Sequence, residues 1–209
     1  PFRSLSEHEL EKVTVEQALQ HPSWSMGAKI TVDSATMLNK AFEIIEARWL
    51  FDIPADRITP VVHPQSIVHS MVEFVDGSIK AQLGVPDMRL PISYALGETT
   101  RLASADYRLR LADIASLSFE KPDYGRFPCL GLAAESFRRG GNAACVINAA
   151  NEIANEAFRQ GRIGFTDIYR VIEATLDSVD HTDSSTYDDF VASNSAARRV
   201  AAEFIASKL

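Results

Sequence analysis

Residues 29–43 read KITVDSATMLNKAFE and lead into a long predicted helix, roughly Ala35 to Leu50. The apolar residues of this helix follow a helical period, which is typical of one buried face. They are Leu38, Phe42, Ile45 and Leu50. We therefore expect the helix to pack this side on a hydrophobic core and to present its polar side to solvent or to a ligand.

The polar residues of the same stretch indicate an anion-binding site. Ser34 is predicted as the N-cap, where its hydroxyl and the unpaired amides of the first turn would lie at the positive end of the helix dipole. Asn39, Lys40 and Glu43 fall within an arc of about 100° on one helix face. Hydroxyl, amide and ammonium groups together suit a phosphate dianion, and Glu43 suits a divalent metal. The alternative is a surface helix with an ordinary Lys40–Glu43 pair.

The residues before this helix form two capped turns and a loop. Ser6 with Glu9, and Thr14 with Gln17, have the capping-box spacing that predicts two short helices. The segment 21–27, HPSWSMG, follows as a loop because Pro and Gly interrupt regular structure. Its Trp and Met either pack on the body of the protein or form a lid that excludes water from a ligand.

Residues 58–83 are expected to form a small sheet. Short strands are predicted over 58–63, 67–75 and 78–83, and Asp76-Gly77 predicts a two-residue hairpin turn with both residues at positive φ. A helix is predicted over 90–95, and residues 99–126 are expected to be a linker. The remaining sequence predicts four helices, over 127–139, 142–160, 165–178 and 187–207, with Gly140-Gly141 and Gly161 as stops and Thr166 as an N-cap.

The fold class that follows is α/β. A catalytic part of α+β type, with a small β-sheet flanked by helices, is followed by an all-α C-terminal helical bundle. We expect the catalytic and dimerisation domain to span 1–98, the linker 99–126 and the four-helix bundle 127–209.

Composition excludes several classes of protein. The 209 residues are 46% hydrophobic and 23% charged, which is ordinary for a globular domain and argues against disorder. A net charge of −7 argues against a nucleic-acid or anionic-membrane binder. No apolar run approaches the roughly 20 residues of a membrane span. Two cysteines, Cys129 and Cys145, are too few to stabilise a fold of this size by disulfides, and they show no zinc spacing. A reducing, intracellular location is therefore expected.

Other motifs give no independent evidence of chemistry. His21, His63 and His69 are each more typical of hydrogen-bonded structural histidines than of ligands. No HExxH, GxSxG or GxGxxG pattern occurs, so neither hydrolysis nor a dinucleotide-binding domain is indicated. Asn148, Asn151 and Glu152 interrupt an apolar helix face and are interpreted as buried structural hydrogen-bonding groups.

Several segments, in order and at matching separations, carry a resemblance. They are HPSWSMG at 21–27, VDSATMLNK at 32–40, EARWLF at 46–51, HPQSIVHSM at 63–71, PDM at 86–88 and NAANE at 148–152. With them the chain closely resembles the 1-deoxy-D-xylulose 5-phosphate reductoisomerases. That family isomerises its sugar phosphate and reduces the product with NADPH to 2-C-methyl-D-erythritol 4-phosphate in non-mevalonate isoprenoid biosynthesis.

The resemblance implies a role for each matching residue. Ser34, Asn39 and Lys40 would hold the phosphate, His21 would contact the substrate, and Glu43 would be a ligand of Mg²⁺, Mn²⁺ or Co²⁺ that also faces the substrate. The active-site loop would contain Ser23, Trp24 and Met26; Gly27 and Met88 would contact NADPH, and His69 would act in catalysis. A homodimer in the bacterial cytoplasm, or in a plastid, is implied as well.

The same resemblance identifies what the sequence lacks. The family's other two metal ligands, a phosphate-binding Ser and the NADPH-binding domain lie before the position of Pro1, and the chain opens without an initiator Met. We therefore expect a piece of a longer enzyme that is inactive by itself. The alternatives are a separate sugar-phosphate-binding and dimerisation module without reductase activity, and an oxidoreductase for another branched phosphorylated substrate.

Overall fold

The structure, a computed structural model, describes residues 1–21, 26–98, 100–103, 108–183 and 186–208. Its contacts group the chain into two compact units. Unit 1 comprises Pro1–His21, Met26–Pro60 and Asp123–Leu209, and unit 2 contains Val61–Pro122. The predicted division into 1–98, 99–126 and 127–209 stays a prediction. Among the described residues, no helix is both long and apolar enough to cross a membrane.

Unit 1 begins with the two short helices that the capping boxes predict. Helix α1 spans Glu7–Leu10 and helix α2 spans Val15–Ala18. The Ser6 amide donates to the Glu9 carboxylate at 2.7 Å, and the Thr14 amide donates to the Gln17 side chain at 2.9 Å. Each cap satisfies amides that have no partner within the helix, so both predictions are confirmed.

The predicted helix over 35–50 is present but begins at Leu38, and a separate helix that was not predicted precedes it. Helix α3 spans Ala28–Ala35 and α4 spans Leu38–Phe51. Met37 separates them in the left-handed conformation, with a φ of 63°. The Thr36 hydroxyl donates to the Asp33 carbonyl at 3.1 Å and accepts from the Leu38 amide at 3.4 Å. The predicted N-cap at Ser34 is therefore wrong, because Ser34 lies in the last turn of α3 and Met37 holds the N-cap position of α4.

The second half of unit 1 is the predicted group of four helices. They are α6 Leu132–Arg139, α7 Ala143–Arg159, α8 Asp167–Ser178 and α9 Tyr187–Lys208, and a short 3₁₀ turn, Pro128–Gly131, leads into α6. Helix α7 is central, since it packs against α3, α6, α8 and α9. Its alanines, Ala149, Ala150, Ala154 and Ala157, are fully or almost fully buried, which lets neighbouring helices approach closely.

The joins between these helices depend on glycine in two places. Gly141 has a φ of +49°, and a Cβ there would stand 2.1 Å from the Thr182 carbonyl oxygen, so only glycine fits. Gly161 has a φ of +69° and lies two residues after the end of α7, where this conformation stops the helix from continuing. Thr166 occupies the N-cap position of α8, as predicted, but its side chain caps nothing. The neighbouring Asp167 carboxylate accepts from the Gly164 amide at 2.8 Å instead.

Unit 2 contains the β-structure. Strand β1, Val68–Glu73, pairs antiparallel with strand β2, Ile79–Leu83, as the hairpin prediction requires. The turn differs from the predicted one because only Gly77 has positive φ. The Gly77 amide donates to the Phe74 carbonyl and the Phe74 amide to the Ser78 carbonyl, both at 2.9 Å, which defines a three-residue loop with a left-handed glycine.

The rest of unit 2 is mostly irregular. Helix α5, Arg89–Leu96, confirms the predicted helix after β2. The predicted strand over 58–63 is wrong: Val62 makes only an isolated bridge with Glu120, through two hydrogen bonds of 2.9 Å. Pro60 and Pro64 flank this bridge, and because proline has no amide hydrogen to donate, few ladder positions are left for a regular strand. Within the described part of 99–126, regular structure is limited to this bridge and the 3₁₀ turn Leu111–Asp113.

Candidate functional site

Helix α4 presents the predicted polar face at the surface of unit 1. The Lys40 ammonium and the Glu43 carboxylate form an ion pair of 2.5 Å, with 38% and 52% of their side chains exposed. Asn39 lies beside them, half-buried. The opposite face is held in the core by Leu38, Ala41, Ile44 and Ile45. Because these buried residues hold the helix in one orientation, core packing and not the ion pair determines which way Asn39, Lys40 and Glu43 face.

Ser34 lies in α3, just before the joint that leads into α4. It is half-buried in the last turn of that helix, and its carbonyl accepts a hydrogen bond of 3.2 Å from the Met37 amide. Only Thr36 and Met37 separate the end of α3 from the start of α4. The hydroxyl, the amide and the ammonium therefore belong to two consecutive helices and the tight joint between them, which is a different construction from the single capped helix predicted.

A buried polar cluster lies beside this joint, and the sequence reasoning did not foresee it. The Asp33 carboxylate, next to Ser34 in the chain, accepts from Asn151 at 2.9 Å and from Asn155 at 2.8 Å. The Lys29 ammonium lies 2.9 Å from its second oxygen. The interpretation of Asn151 as a buried hydrogen-bonding residue is confirmed. Nothing in the sequence indicated its partner Asp33 beyond that residue's place in the VDSATMLNK segment.

The other predicted members of the chain's first part are only partly described. His21 is half-buried, and this burial lowers its pKa. Gly27 holds the N-cap position of α3, and Met26 precedes it half-buried. Ser23 and Trp24, predicted in the active-site loop, lie outside the described residues.

Unit 2 holds the two remaining predicted site residues. His69 lies on β1, and its Nε2 atom is 3.7 Å from the position that a Cβ would take at Gly84. Such a Cβ would also come within 2.9 Å of a Leu90 methyl carbon, so glycine allows both side chains to approach the strand end. Met88 directly precedes α5 and is 56% exposed.

His63 has a structural role within unit 2. Its Nδ1 donates to the Ser118 carbonyl at 2.7 Å, and its ring stacks on Phe119 with centroids 4.7 Å apart. Gln65 also bonds the Ser118 hydroxyl and amide. These contacts join the segment after Val61 to the segment before Glu120.

The described residues do not form a metal site by themselves. No group of three or more His, Cys, Asp or Glu side chains with suitable positions occurs in the part of the chain that the structure describes. Glu43 offers one carboxylate, and Lys40 already pairs with it. One ligand is too few to hold a divalent cation. A pocket of about 150 Å³ also lies in unit 1, with Thr36, Arg126 and Tyr169 in its lining, but none of the predicted site residues lines it.

Comparison with known proteins identifies the family. The family model described as DXP reductoisomerase C-terminal domain matches residues 83–200, and the model described as 1-deoxy-D-xylulose 5-phosphate reductoisomerase C-terminal domain matches residues 1–51. The chain belongs to the 1-deoxy-D-xylulose 5-phosphate reductoisomerase family. Curated reductoisomerases of Paraburkholderia xenovorans and Bacteroides fragilis are each 53% identical, over 99% and 98% of this chain and 51% and 53% of their own lengths.

Solved structures of reductoisomerases agree with this assignment. The Zymomonas mobilis enzyme in complex with NADPH has a TM-score of 0.91 and 47% identity, over 99% of this chain and 53% of its own. A second reductoisomerase, in complex with NADPH, fosmidomycin and magnesium, has a TM-score of 0.91 and 42% identity, over 98% of this chain and 52% of its own. The predicted family and fold class are therefore confirmed. The chain spans about half the length of the curated relatives it matches.

Proposed function

We propose that this chain supplies the sugar-phosphate-binding part of a 1-deoxy-D-xylulose 5-phosphate reductoisomerase. The observation that carries the proposal is the joint between α3 and α4, which brings Ser34, Asn39 and Lys40 onto consecutive short segments at the surface of unit 1. Family membership supports the same assignment, since the chain matches reductoisomerases along almost its whole length.

In this proposal the α3–α4 joint binds the phosphate group of the substrate. Lys40 contributes a positive charge, while Ser34 and Asn39 donate neutral hydrogen bonds. The first turn of α4 adds its favourable dipole end. His21 contacts the same substrate, and its burial lowers its pKa, which favours the neutral imidazole.

The Lys40–Glu43 ion pair has a defined place in this proposal. Because both side chains are substantially exposed, their mutual attraction is worth little, and either can exchange its partner at small energetic cost. On substrate binding, Lys40 turns to the phosphate and Glu43 becomes free to coordinate a cation. The ordinary surface pair considered above is then the ligand-free form of the same site.

The cofactors follow from the family and not from a complete site in this chain. Two related structures hold NADPH, and one of them also holds magnesium. Gly27 and Met88 would contribute to the NADPH site, Glu43 to the metal site, and His69 to catalysis, with Ser23, Trp24 and Met26 in the loop over the substrate. We infer that the 209-residue chain alone is inactive, because its described residues contain no group of three or more His, Cys, Asp or Glu that could hold a metal ion and its sequence contains no GxGxxG motif.

The assembly and the pathway are part of the proposal. The exposed hairpin of unit 2 suits pairing across a two-fold axis, so the enzyme is proposed as a homodimer. Both cysteines are free thiols, which is consistent with action in the cytoplasm. The product would enter non-mevalonate isoprenoid biosynthesis. An independent binding module is not favoured, since the relatives are named as reductoisomerases.

The test is a steady-state assay of the complete natural polypeptide that contains this chain, following NADPH oxidation with 1-deoxy-D-xylulose 5-phosphate. Replacing Lys40→Ala should raise the KM for the sugar phosphate roughly ten- to hundredfold, since a hydrogen bond to a charged group is worth about 1.5–3 kcal/mol. The matched control is Lys12→Ala, an exposed lysine between α1 and α2. The 209-residue chain should give no turnover under the same conditions.

Two outcomes would contradict the proposal. Absence of activity in the complete wild-type polypeptide with this substrate would reject the reaction. An unchanged KM in the Lys40→Ala variant would reject the phosphate site while leaving the reaction in place.

A further inference from the structure

The buried cluster around Asp33 joins the α3–α4 segment to the helical bundle. Asp33 is 2% exposed, and Asn151 and Asn155 on α7 are fully buried. Both amides donate to the same carboxylate oxygen, while Lys29 pairs with the other. A carboxylate that is buried this deeply needs these partners, because burial removes its hydration. The contact is therefore a specific connection between two distant parts of the sequence.

The cluster is held on the α7 side as well. Asn155 donates a second hydrogen bond of 3.0 Å to the Lys29 carbonyl, and its oxygen accepts from Arg159 at 2.8 Å. The Asn151 oxygen is buried and has no partner among the described residues. Among the described residues the Asn151 side chain therefore makes one hydrogen bond, to Asp33, which makes it the cleaner residue to change.

Asp33 is connected in turn to the start of α4. Its carbonyl oxygen accepts from the Thr36 hydroxyl at 3.1 Å, and that hydroxyl accepts from the Leu38 amide at 3.4 Å. Ser34 follows Asp33 directly, and Asn39 and Lys40 follow Leu38 within the first turn of α4. A shift of Asp33 would therefore move the groups on both sides of the joint.

We propose that Asn151 and Asn155 are positioning residues for the phosphate-binding joint: through the Asp33 carboxylate, the C-terminal bundle fixes where Ser34, Asn39 and Lys40 stand. The inference deepens the proposed function and rests on it. It assigns to the bundle a part in substrate affinity, although neither asparagine touches the substrate. Small displacements of binding groups have large kinetic effects, which is why a distant helix can control them.

The experiment measures KM and kcat in the complete natural polypeptide that contains this chain, comparing Asn151→Leu with Asn148→Leu. Asn148 lies on the same helix, is half-buried and donates a hydrogen bond of 3.5 Å to Glu152, so it is the matched control. Asn151→Leu should raise the KM for 1-deoxy-D-xylulose 5-phosphate and weaken fosmidomycin binding by about tenfold, with kcat and the KM for NADPH nearly unchanged. Asn148→Leu should change none of these values.

The outcomes separate this inference from the proposed function. If wild-type enzyme is active and Asn151→Leu lowers only thermal stability, leaving the KM for the sugar phosphate unchanged, the positioning role is rejected and the reaction stands. Equal loss of affinity for NADPH and sugar phosphate also rejects it, because that is general unfolding. Should Asn151→Leu fail to fold, Lys29→Met removes the half-exposed partner of Asp33: a rise of about threefold in the same KM supports the inference, and no change overturns it.

Discussion

Units 1 and 2 differ in where their apolar side chains lie. Every buried hydrophobic residue that the structure describes belongs to unit 1, from Phe2 to Ile205. In unit 2, Val72 and Ile79 are each 59% exposed and Leu96 is 80% exposed. Unit 1 therefore contains a hydrophobic core of its own, whereas the apolar side chains in the described part of unit 2 are half-buried or exposed.

The difference indicates what each unit needs in order to be stable. Burial of apolar surface is the dominant favourable contribution to folding, so unit 1 has its own source of stability. A two-stranded hairpin is marginally stable without further protein against it. We expect unit 2 to gain its stability from polypeptide that covers it, either the other half of the family's length or a second copy of the chain.

The largest expected effect tests the core of unit 1. Phe158 on α7 is 2% exposed and meets the Phe165 ring edge-on, with centroids 5.8 Å apart. Phe158→Ala should lower the free energy of unfolding by about 3–5 kcal/mol, because it removes buried surface and leaves a cavity. Urea denaturation followed by circular dichroism measures the change.

The control for this prediction lies in unit 2. Val75 in the hairpin loop is fully exposed, and Val75→Ala should change stability by less than about 0.5 kcal/mol. Comparable losses in the two variants would mean that the two units do not differ in the way described.

The sequence predicts best where local chemistry alone decides the structure. The capping boxes at Ser6 and Thr14 were confirmed because both partners lie within one turn. The β1–β2 hairpin was confirmed for a similar reason, since Asp76 and Gly77 are turn residues in a short loop. Its turn type was wrong because the Asp76 carboxylate bonds the Ser78 amide and hydroxyl, at 2.9 and 2.6 Å, in a loop where only Gly77 has positive φ.

The residues of the candidate site could be predicted from the sequence, but the two-helix joint that carries them could not. Asn39, Lys40 and Glu43 share a helix face as helical geometry requires. The break at Met37 was missed because a methionine with positive φ has no sequence signal and is imposed by packing on both sides. The Asp33 cluster was missed because it joins residues more than a hundred positions apart in the sequence, and hydrophobic periodicity cannot detect such contacts.

The second prediction concerns the exposed strands of unit 2. If β1 and β2 pair with a second copy in the complete natural polypeptide, Val72→Lys should weaken the homodimer at least about tenfold, because a lysine opposes edge pairing. Sedimentation velocity over a range of protein concentrations measures the dissociation constant. Lys12→Ala in unit 1 is the control and should leave it unchanged. A dimer that is indifferent to Val72→Lys would require a different interface.

The smallest expected effect tests whether surface charges add to the stability of unit 1. Hydrogen bonds from Arg138, and then from Arg139, lower the pKa of Glu135 on α6 to about 2 from its usual 4.5. Arg139 also donates to the Leu176 carbonyl at 2.7 Å, so this cluster connects α6 with α8. Because the folded-state pKa is depressed, the stabilisation is complete above pH 4.5 and is lost as the pH falls toward 2.

Glu135→Gln isolates this contribution. Wild type should exceed the variant by about 1 kcal/mol at neutral pH, since the carboxylate is partly exposed and screened by solvent. Urea midpoints measured from neutral to acidic pH should show that difference shrinking only below pH 4.5. If the stability difference between wild type and Glu135→Gln stays constant with pH, it comes from side-chain packing and not from charge. If it is as large as the effect of Phe158→Ala, unit 1 depends on its surface charges as much as on its core.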